Sequence, residues 1–341
     1  MTTRREFLVG AAVGAAAVAG AAMGLPHGAT AAEAGPRAKS RVVVLRHDDL
    51  APDGKVPAPA RIRELLDEAA RALAAQAKPA DAWAAWFKPS DHVGVKVNCL
   101  GHSTSPAVAT ALAAAIGAIG LAPENVLLWD RTDRELKAAG YELRRKGPGT
   151  LCYGTDALGS RGNGGYSDDI YTSGNIGSLY SRIVTDETTA VVSACVLKDH
   201  AIAGLTCAMK NFFGAIHNPN KYHENGCDPF VADVCAHPLI RNRLRLVVCD
   251  VTRPQYQGGP PVRTQWQWPY GGLILGTDPV AVDRVALEIL AKKRAAAGMK
   301  TLEADKRPVR HIASAAARGL GVGDLAEIDV VSIGKPWLDV G

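Results

Sequence analysis

The sequence predicts an α/β fold, a mostly parallel or mixed sheet with helices on both faces and a long glycine-rich insertion in the middle. Two observations predict it. From Arg41 onward, short runs rich in Val, Leu and Ile alternate with Ala-rich stretches carrying apolar residues at helical spacing. The helical stretches also open on start signals, Ser105-Pro106 and Asp278-Pro279, in which a capping side chain precedes a first-turn proline.

The elements follow in order. Arg41–Arg46 reads as a strand, and Pro59–Gln76 as an amphipathic helix with Leu65, Leu66, Ala69 and Leu73 on one stripe. His92–Asn98 is the next strand, followed by a helix from Ser105-Pro106 to about Gly120. Asn125–Asp130 reads as a strand and Asp133–Arg144 as a helix. The pattern resumes with strands at Arg243–Asp250 and Gly272–Gly276, and then a helix over Asp278–Lys292. A helix at Pro308–Arg318 and a strand at Ala326–Ile333 complete it. Between the two halves, residues 146–180 hold many glycines and few apolar clusters, so an irregular insertion is expected there.

The first residues read differently. Arg4-Arg5 stands before an uncharged run from Leu8 to about Leu25, and Ala31 and Ala34 offer small-residue cleavage sites. A charged start, a short apolar core and a small-residue exit describe a secretory signal, and paired arginines mark the twin-arginine type. Residues 1–34 are therefore expected to be an export signal and residues 35–341 a single α/β domain. The expected partner in export is the twin-arginine translocase, and the expected location is the periplasm or medium, with no stable membrane anchor after cleavage. That route passes folded proteins, which suits a chain that acquires a cofactor before export.

Composition narrows the chemistry. A formal charge of +5, spread along the chain, is no nucleic-acid footprint. Seven cysteines leave at least one unpaired, and no CxxC occurs, so the ferredoxin-type iron–sulfur motif is absent. The identity of any cofactor stays open, a transition metal being the class the residues suit.

Ligands of open parallel sheets lie beyond the carboxyl ends of the strands. Lys96 on a valine-rich strand requires an anionic partner, and Asn98 shares its face. Asp250, with Arg253 after it, ends another strand. The densest stretch runs from Cys195 to His237, with Cys195, His200, Cys207, His217, His223, Cys227, Cys235 and His237. Lys198, Lys210 and Asn211 lie among them. On a helix, Lys210 and His217 would share a face. Lys96, His200, Lys210 and His217 are the expected catalytic residues. Asn98, Lys198, Asn211, Asp250 and Arg253 are expected to bind a small anionic ligand. His217, His223 and Cys227 are the expected metal ligands. Cys195, Cys207 and Cys249 suit a core, and Cys227 with Cys235 suits a disulfide.

On these residues the chain resembles the uncharacterised DUF362 family. The likeness rests on Val93-Gly94-Val95-Lys96-Val97-Asn98, on Lys198-Asp199-His200 with Met209-Lys210-Asn211-Phe212-Phe213-Gly214, and on Gly276-Thr277-Asp278-Pro279-Val280-Ala281-Val282-Asp283 with Gly319-Leu320-Gly321. Some members of that family carry an added ferredoxin-like module, whose cysteine run this chain lacks. The resemblance implies a fold and a site and no established reaction. Asp250-Val251-Thr252-Arg253-Pro254 is also similar to a short motif of the lactate racemase family, which uses a nickel-bearing nucleotide. The expected function is an exported, metal- or cofactor-dependent enzyme, redox chemistry included, acting on a small anionic ligand. The alternative is a non-catalytic periplasmic protein that binds a metal or an anion.

Overall fold

The computed structural model of the chain describes residues 39–50, 57–160 and 163–341. The expected export signal, with Arg4 and Arg5, lies outside the described residues. No helix among the described residues is long and apolar enough to cross a membrane.

The first half carries β1 (Ser40–Arg46), α1 (Pro59–Ala74), α2 (Pro79–Ala84), β2 (Val93–Val97), α3 (Pro106–Gly117), β3 (Val126–Trp129) and α4 (Asp133–Ala138). Then come β4 (Leu151–Cys152), β5 (Tyr171–Ser173), β6 (Ile176–Ser178), β7 (Ala190–His200), β8 (Gly204–Thr206), α5 (Phe230–Ala236) and α6 (Pro238–Arg241). The last part holds β9 (Leu244–Gln255), β10 (Gly272–Gly276), α7 (Pro279–Ala296), α8 (His311–Ala317) and β11 (Ile328–Gly334).

A nine-stranded mixed sheet runs β11-β1-β10-β9-β7-β2-β3-β4, with β8 on the end of β7. The block β9-β7-β2-β3-β4 is parallel throughout, and β10 runs against both of its neighbours. This is the α/β class that alternation predicted, because the helical connections within the parallel block return the chain to the same end of the sheet. Helices α1 and α3 cover one face through Leu65, Leu66, Leu112 and Ile116. Helices α5, α7 and α8 cover the other through Val231, Val285, Ile289 and Ile312. Alternation along β2 sends Val93, Val95 and Val97 to the first face and leaves Lys96 for the second.

Three differences from the expected elements have physical causes. Strand β7 is the centre of the sheet and buried over all eleven residues, yet it went unpredicted. A strand covered on both faces is a continuous apolar run without period-2 alternation. Helix α4 stops at Ala138 rather than Arg144, because Gly140 turns left-handed with φ 90° and the Tyr141 hydroxyl reaches back to the carbonyl of Thr104 at 2.9 Å. The glycine-rich segment is partly ordered architecture. It supplies β4 beside β3 and the β5–β6 hairpin, where Asn175 donates from its backbone and side chain to buried Asp233.

Asp278 does what a residue before a first-turn proline can do. Its Oδ1 accepts the Val280 and Ala281 N–H groups at 2.9 and 3.0 Å, capping α7. Its Oδ2 accepts Ser40 Oγ and Val322 N–H, both at 2.8 Å. One carboxylate thus ties α7 to β1 and to the approach to β11. Asp278→Ala is expected to lower unfolding free energy by about 2 kcal/mol, a lost cap plus orphaned donors. Urea denaturation midpoints check it, and a change below about 0.5 kcal/mol contradicts it.

Candidate functional site

The carboxyl ends of β2, β3 and β7 converge on a cavity of about 470 Å³. Its floor is an ion pair. Lys96 Nζ, 1% exposed, meets Asp130 Oδ1 at 2.7 Å. It also donates to the carbonyl of Val97 at 2.6 Å and to Asn211 Oδ1 at 3.2 Å. The anionic partner that a buried lysine demands is therefore a residue of the protein. Asn211 completes the arrangement by donating to the Lys96 carbonyl and to Ser193 Oγ. Asp130 in turn accepts the Cys99 and Arg131 N–H groups at 2.7 and 2.9 Å. Gly214 lies against this pair, and a Cβ there would fall 2.7 Å from Lys96 Nζ and 2.8 Å from Asp130 Oδ1.

Lys198 is also fully engaged. Its ammonium donates to Asn98 Oδ1 at 2.8 Å and to the carbonyls of Leu100 and His102, each at 2.6 Å. Burial pushes its pKa down to about 7, while three oxygen acceptors favour the charged form. This lysine holds the 98–102 loop rather than standing free for a ligand. The loop is pinned from outside too: His102 bonds the Arg253 carbonyl at 2.8 Å and Gln267 at 3.2 Å. Burial, then the charge of Lys198, lowers His102 to about 4. Gly101 adopts φ 73°, and a Cβ there would sit 2.0 Å from the Pro260 carbonyl oxygen.

Lys210 differs. Its Nζ meets His223 Nε2 at 3.4 Å and lies 4.3 Å from the centre of the Phe213 ring, with the Cys227 thiol beside it. Burial lowers its pKa to about 8, and burial raises that of Cys227, keeping it a thiol. His223 Nδ1 lies 3.1 Å from the Pro219 carbonyl, so Nδ1 carries the proton and Nε2 presents its lone pair to Lys210. Burial and the charge of Lys210 lower its pKa. His200 stacks on His223 with ring centres 5.7 Å apart. Its Nδ1 accepts the Ile202 and Ala203 N–H groups at 3.1 Å, so its Nε2 is a donor. Burial, followed by the charge of Lys210, pushes His200 down to about 2 and keeps it neutral.

Three donor-bearing lining residues went unpredicted. Arg131 borders the cavity, and no described carboxylate pairs with it. Thr206 Oγ1 is buried without a partner, and Asn220 adds an amide. Arg131 follows Asp130 at a strand end, so the strand-end rule would have found it. The other two stand on segments whose path only the fold reveals. The lining balances Lys96, Lys198, Lys210 and Arg131 against Asp130 and Glu135, a net positive basin.

The other expected residues lie apart. His217 is exposed and edges the Tyr166 ring at 5.2 Å. The expected helix from Lys210 is a 3-10 turn ending at Ala215, with Ile216 extended, so the two side chains do not share a face. Asp250 and Arg253 line a separate cavity of about 150 Å³, where Asp250 accepts the Ser105 N–H at 2.8 Å and both donors of Thr252. Cys227 and Cys235 are free and buried, with no disulfide between them. His217, His223 and Cys227 do not gather around one point. Among the described residues, the group able to hold a metal is Cys195, Cys207 and Cys249. These expected core thiols are fully buried, with Sγ–Sγ distances of 3.7 Å for Cys195–Cys207 and 3.4 Å for Cys207–Cys249. The parallel register of β7 and β9 sets Cys195 beside Cys249.

A family model described as "Domain of unknown function (DUF362)" matches residues 92–288, a span that contains every cavity residue named above. No curated protein matches the chain.

The ion pair makes the first test of this site. Asp130→Ala strands a buried ammonium and is expected to destabilise by about 3–5 kcal/mol. The Lys96→Met/Asp130→Leu double variant is expected to lose less than Asp130→Ala. Chemical denaturation of the variants measures both, and equal losses would mean that the charges are not coupled.

Proposed function

The chain belongs to the DUF362 family, and from that premise we propose that it is an enzyme acting on a small anionic substrate in the Lys210 cavity. The observation that carries the reading is the state of the three cavity lysines. Lys96 and Lys198 give all their donors to protein oxygens. Lys210 meets an imidazole lone pair, a ring face and a thiol instead. A desolvated ammonium without an oxygen partner attracts an anion strongly. Arg131 and the His200 Nε2–H supply further donors around the same space. His223 Nε2, its other nitrogen turned to Pro219, is placed to move a proton. A cavity of about 470 Å³ suits a ligand the size of a small carboxylate or phosphate ester.

A metal reading attaches to a different place. The three thiols of Cys195, Cys207 and Cys249 lie together in the core, and soft thiolates select soft or borderline cations such as copper(I) or zinc. Export also belongs to the proposal: a chain that folds, and loads any metal, before passing through the twin-arginine route keeps buried thiols from the oxidising side.

Three outcomes are expected. By titration calorimetry, oxalate and inorganic phosphate bind, and their affinity falls as pH rises through about 8, because Lys210 is cationic below that value and neutral above it. Affinity that does not change across that range removes Lys210 as the anchor. His223→Gln is expected to keep oxalate binding while abolishing turnover of whatever substrate is found; full turnover would favour a non-catalytic binding protein. Elemental analysis of protein isolated from its folding compartment is expected to give a thiophilic metal that Cys207→Ser removes, and a metal-free wild-type chain ends the metal reading.

A further inference from the structure

We propose that Lys210 is a nucleophile that forms an imine with a carbonyl compound bearing an anionic group, an aldehyde or 2-oxo acid. The inference rests on the reading of the cavity as a small-anion site and goes further by assigning the electrophile.

Lone pairs distinguish the three cavity lysines. An amine whose three N–H bonds all point at oxygen acceptors is tied in place, with no free direction from which to attack carbon. That is the state of Lys96 and of Lys198. Lys210 has no such oxygen cage. The Phe213 ring, 4.3 Å away, keeps water off one side of the amine, and the residue is only 7% exposed. Desolvation of this kind is how a lysine becomes a nucleophile near neutral pH. The shift of Lys210 to about 8 agrees with it.

The neighbours match the step. The Lys210 nitrogen lone pair attacks the carbonyl carbon, and the C=O π pair moves to oxygen. His223 Nε2, at 3.4 Å, relays the two protons that the nitrogen sheds in turn, the first to the alkoxide to make a hydroxyl and the second to that hydroxyl, which leaves as water as C=N forms. One amine and one carbonyl give one imine and one water, with no oxidant or reductant. Arg131 and the His200 Nε2–H line the same cavity and hold the anionic group. The competing nucleophile, Cys227, is disfavoured because burial keeps it protonated. Once protonated, the imine withdraws electrons from the adjacent carbon. The reaction class is therefore decarboxylation, aldol-type bond exchange or proton removal at that carbon.

Reductive trapping tests the proposal. The full chain is incubated with glyoxylate and sodium borohydride and then mapped by peptide mass spectrometry. One adduct per chain is expected, on Lys210, with a yield that rises through pH 8 where oxalate affinity falls. Excess oxalate is expected to protect Lys210 in the wild-type chain, a control that needs no variant to fold. Lys210→Arg is expected to abolish the adduct and retain oxalate binding within about tenfold. Replacing glyoxylate by glycolaldehyde phosphate separates the two anionic groups, the better-trapped one being the class the cavity prefers. Oxalate binding with no adduct on Lys210 overturns the imine and leaves the anion site standing. Loss of both ends both. Adducts spread over exposed lysines without oxalate protection also overturn the imine.

Discussion

The site is built around a charge that the sheet cannot leave alone. Lys96 projects from the buried strand β2, and an unpaired ammonium there would cost several kcal/mol. Asp130, one residue beyond the neighbouring parallel strand, answers it at 2.7 Å. This pairing has consequences for everything above it. The backbone must approach the pair at Gly214, where a Cβ has no room. Asn211 must face inward to bond Lys96 and Ser193. Those two requirements settle the path of the 3-10 turn Lys210–Ala215, and with it the place from which Lys210 enters the cavity.

A similar logic separates the cations by role. Basic residues in one cavity are commonly treated as one positive field, yet here their partners differ. Lys198 binds the 98–102 loop through two carbonyls and Asn98, so its charge is local scaffolding. Lys210 lacks equivalent acceptors, and the two imidazoles beside it are both neutral, through burial and through its own charge. Neutral histidines with defined tautomers are more useful to chemistry than charged ones. His200 offers a donor, and His223 offers a lone pair.

Much of this was legible in the sequence, for identifiable reasons. Alternation gave the α/β class, and a lysine among valines gave a functional or paired cation. The carboxyl-end rule gave Asn98, and the Cys/His/Lys density pointed at the segment that forms the cavity wall. What escaped depends on register and local curvature. Whether Lys96 meets Asp130 is decided by the pairing of β2 with β3, which no local pattern encodes. The assembly of Cys195, Cys207 and Cys249 depends likewise on β7 lying beside β9. The pairing of His217 with Lys210 assumed a helix through both, whereas the 3-10 turn ends at Ala215 and turns the next side chains elsewhere. Asp250 illustrates the ambiguity of strand-end acids. Burial raises its pKa, and backbone and hydroxyl donors from Ser105 and Thr252 occupy it as a loop tie.

The same physics explains why conspicuous motif residues do not touch the cavity. Asp283, in α7, is fully buried and accepts the Ala208 and Met209 N–H groups at 2.6 and 3.2 Å. It therefore anchors the chain immediately before Lys210 from behind. Asp199 holds the Gly259 N–H at 2.7 Å and is itself held by Arg307 at 2.7 Å, bracing the segment that places Pro260 on the cavity rim. The proposed nucleophile needs this kind of frame, because a lysine free to move would swing its ammonium onto the nearest carbonyl and be tied there as Lys198 is. Asp283 fixes the backbone just before Lys210, and the lysine Nζ meets His223 Nε2 at 3.4 Å. The acidic residues of the frame are spent on backbone donors and on Arg307, and no ligand contact is asked of them.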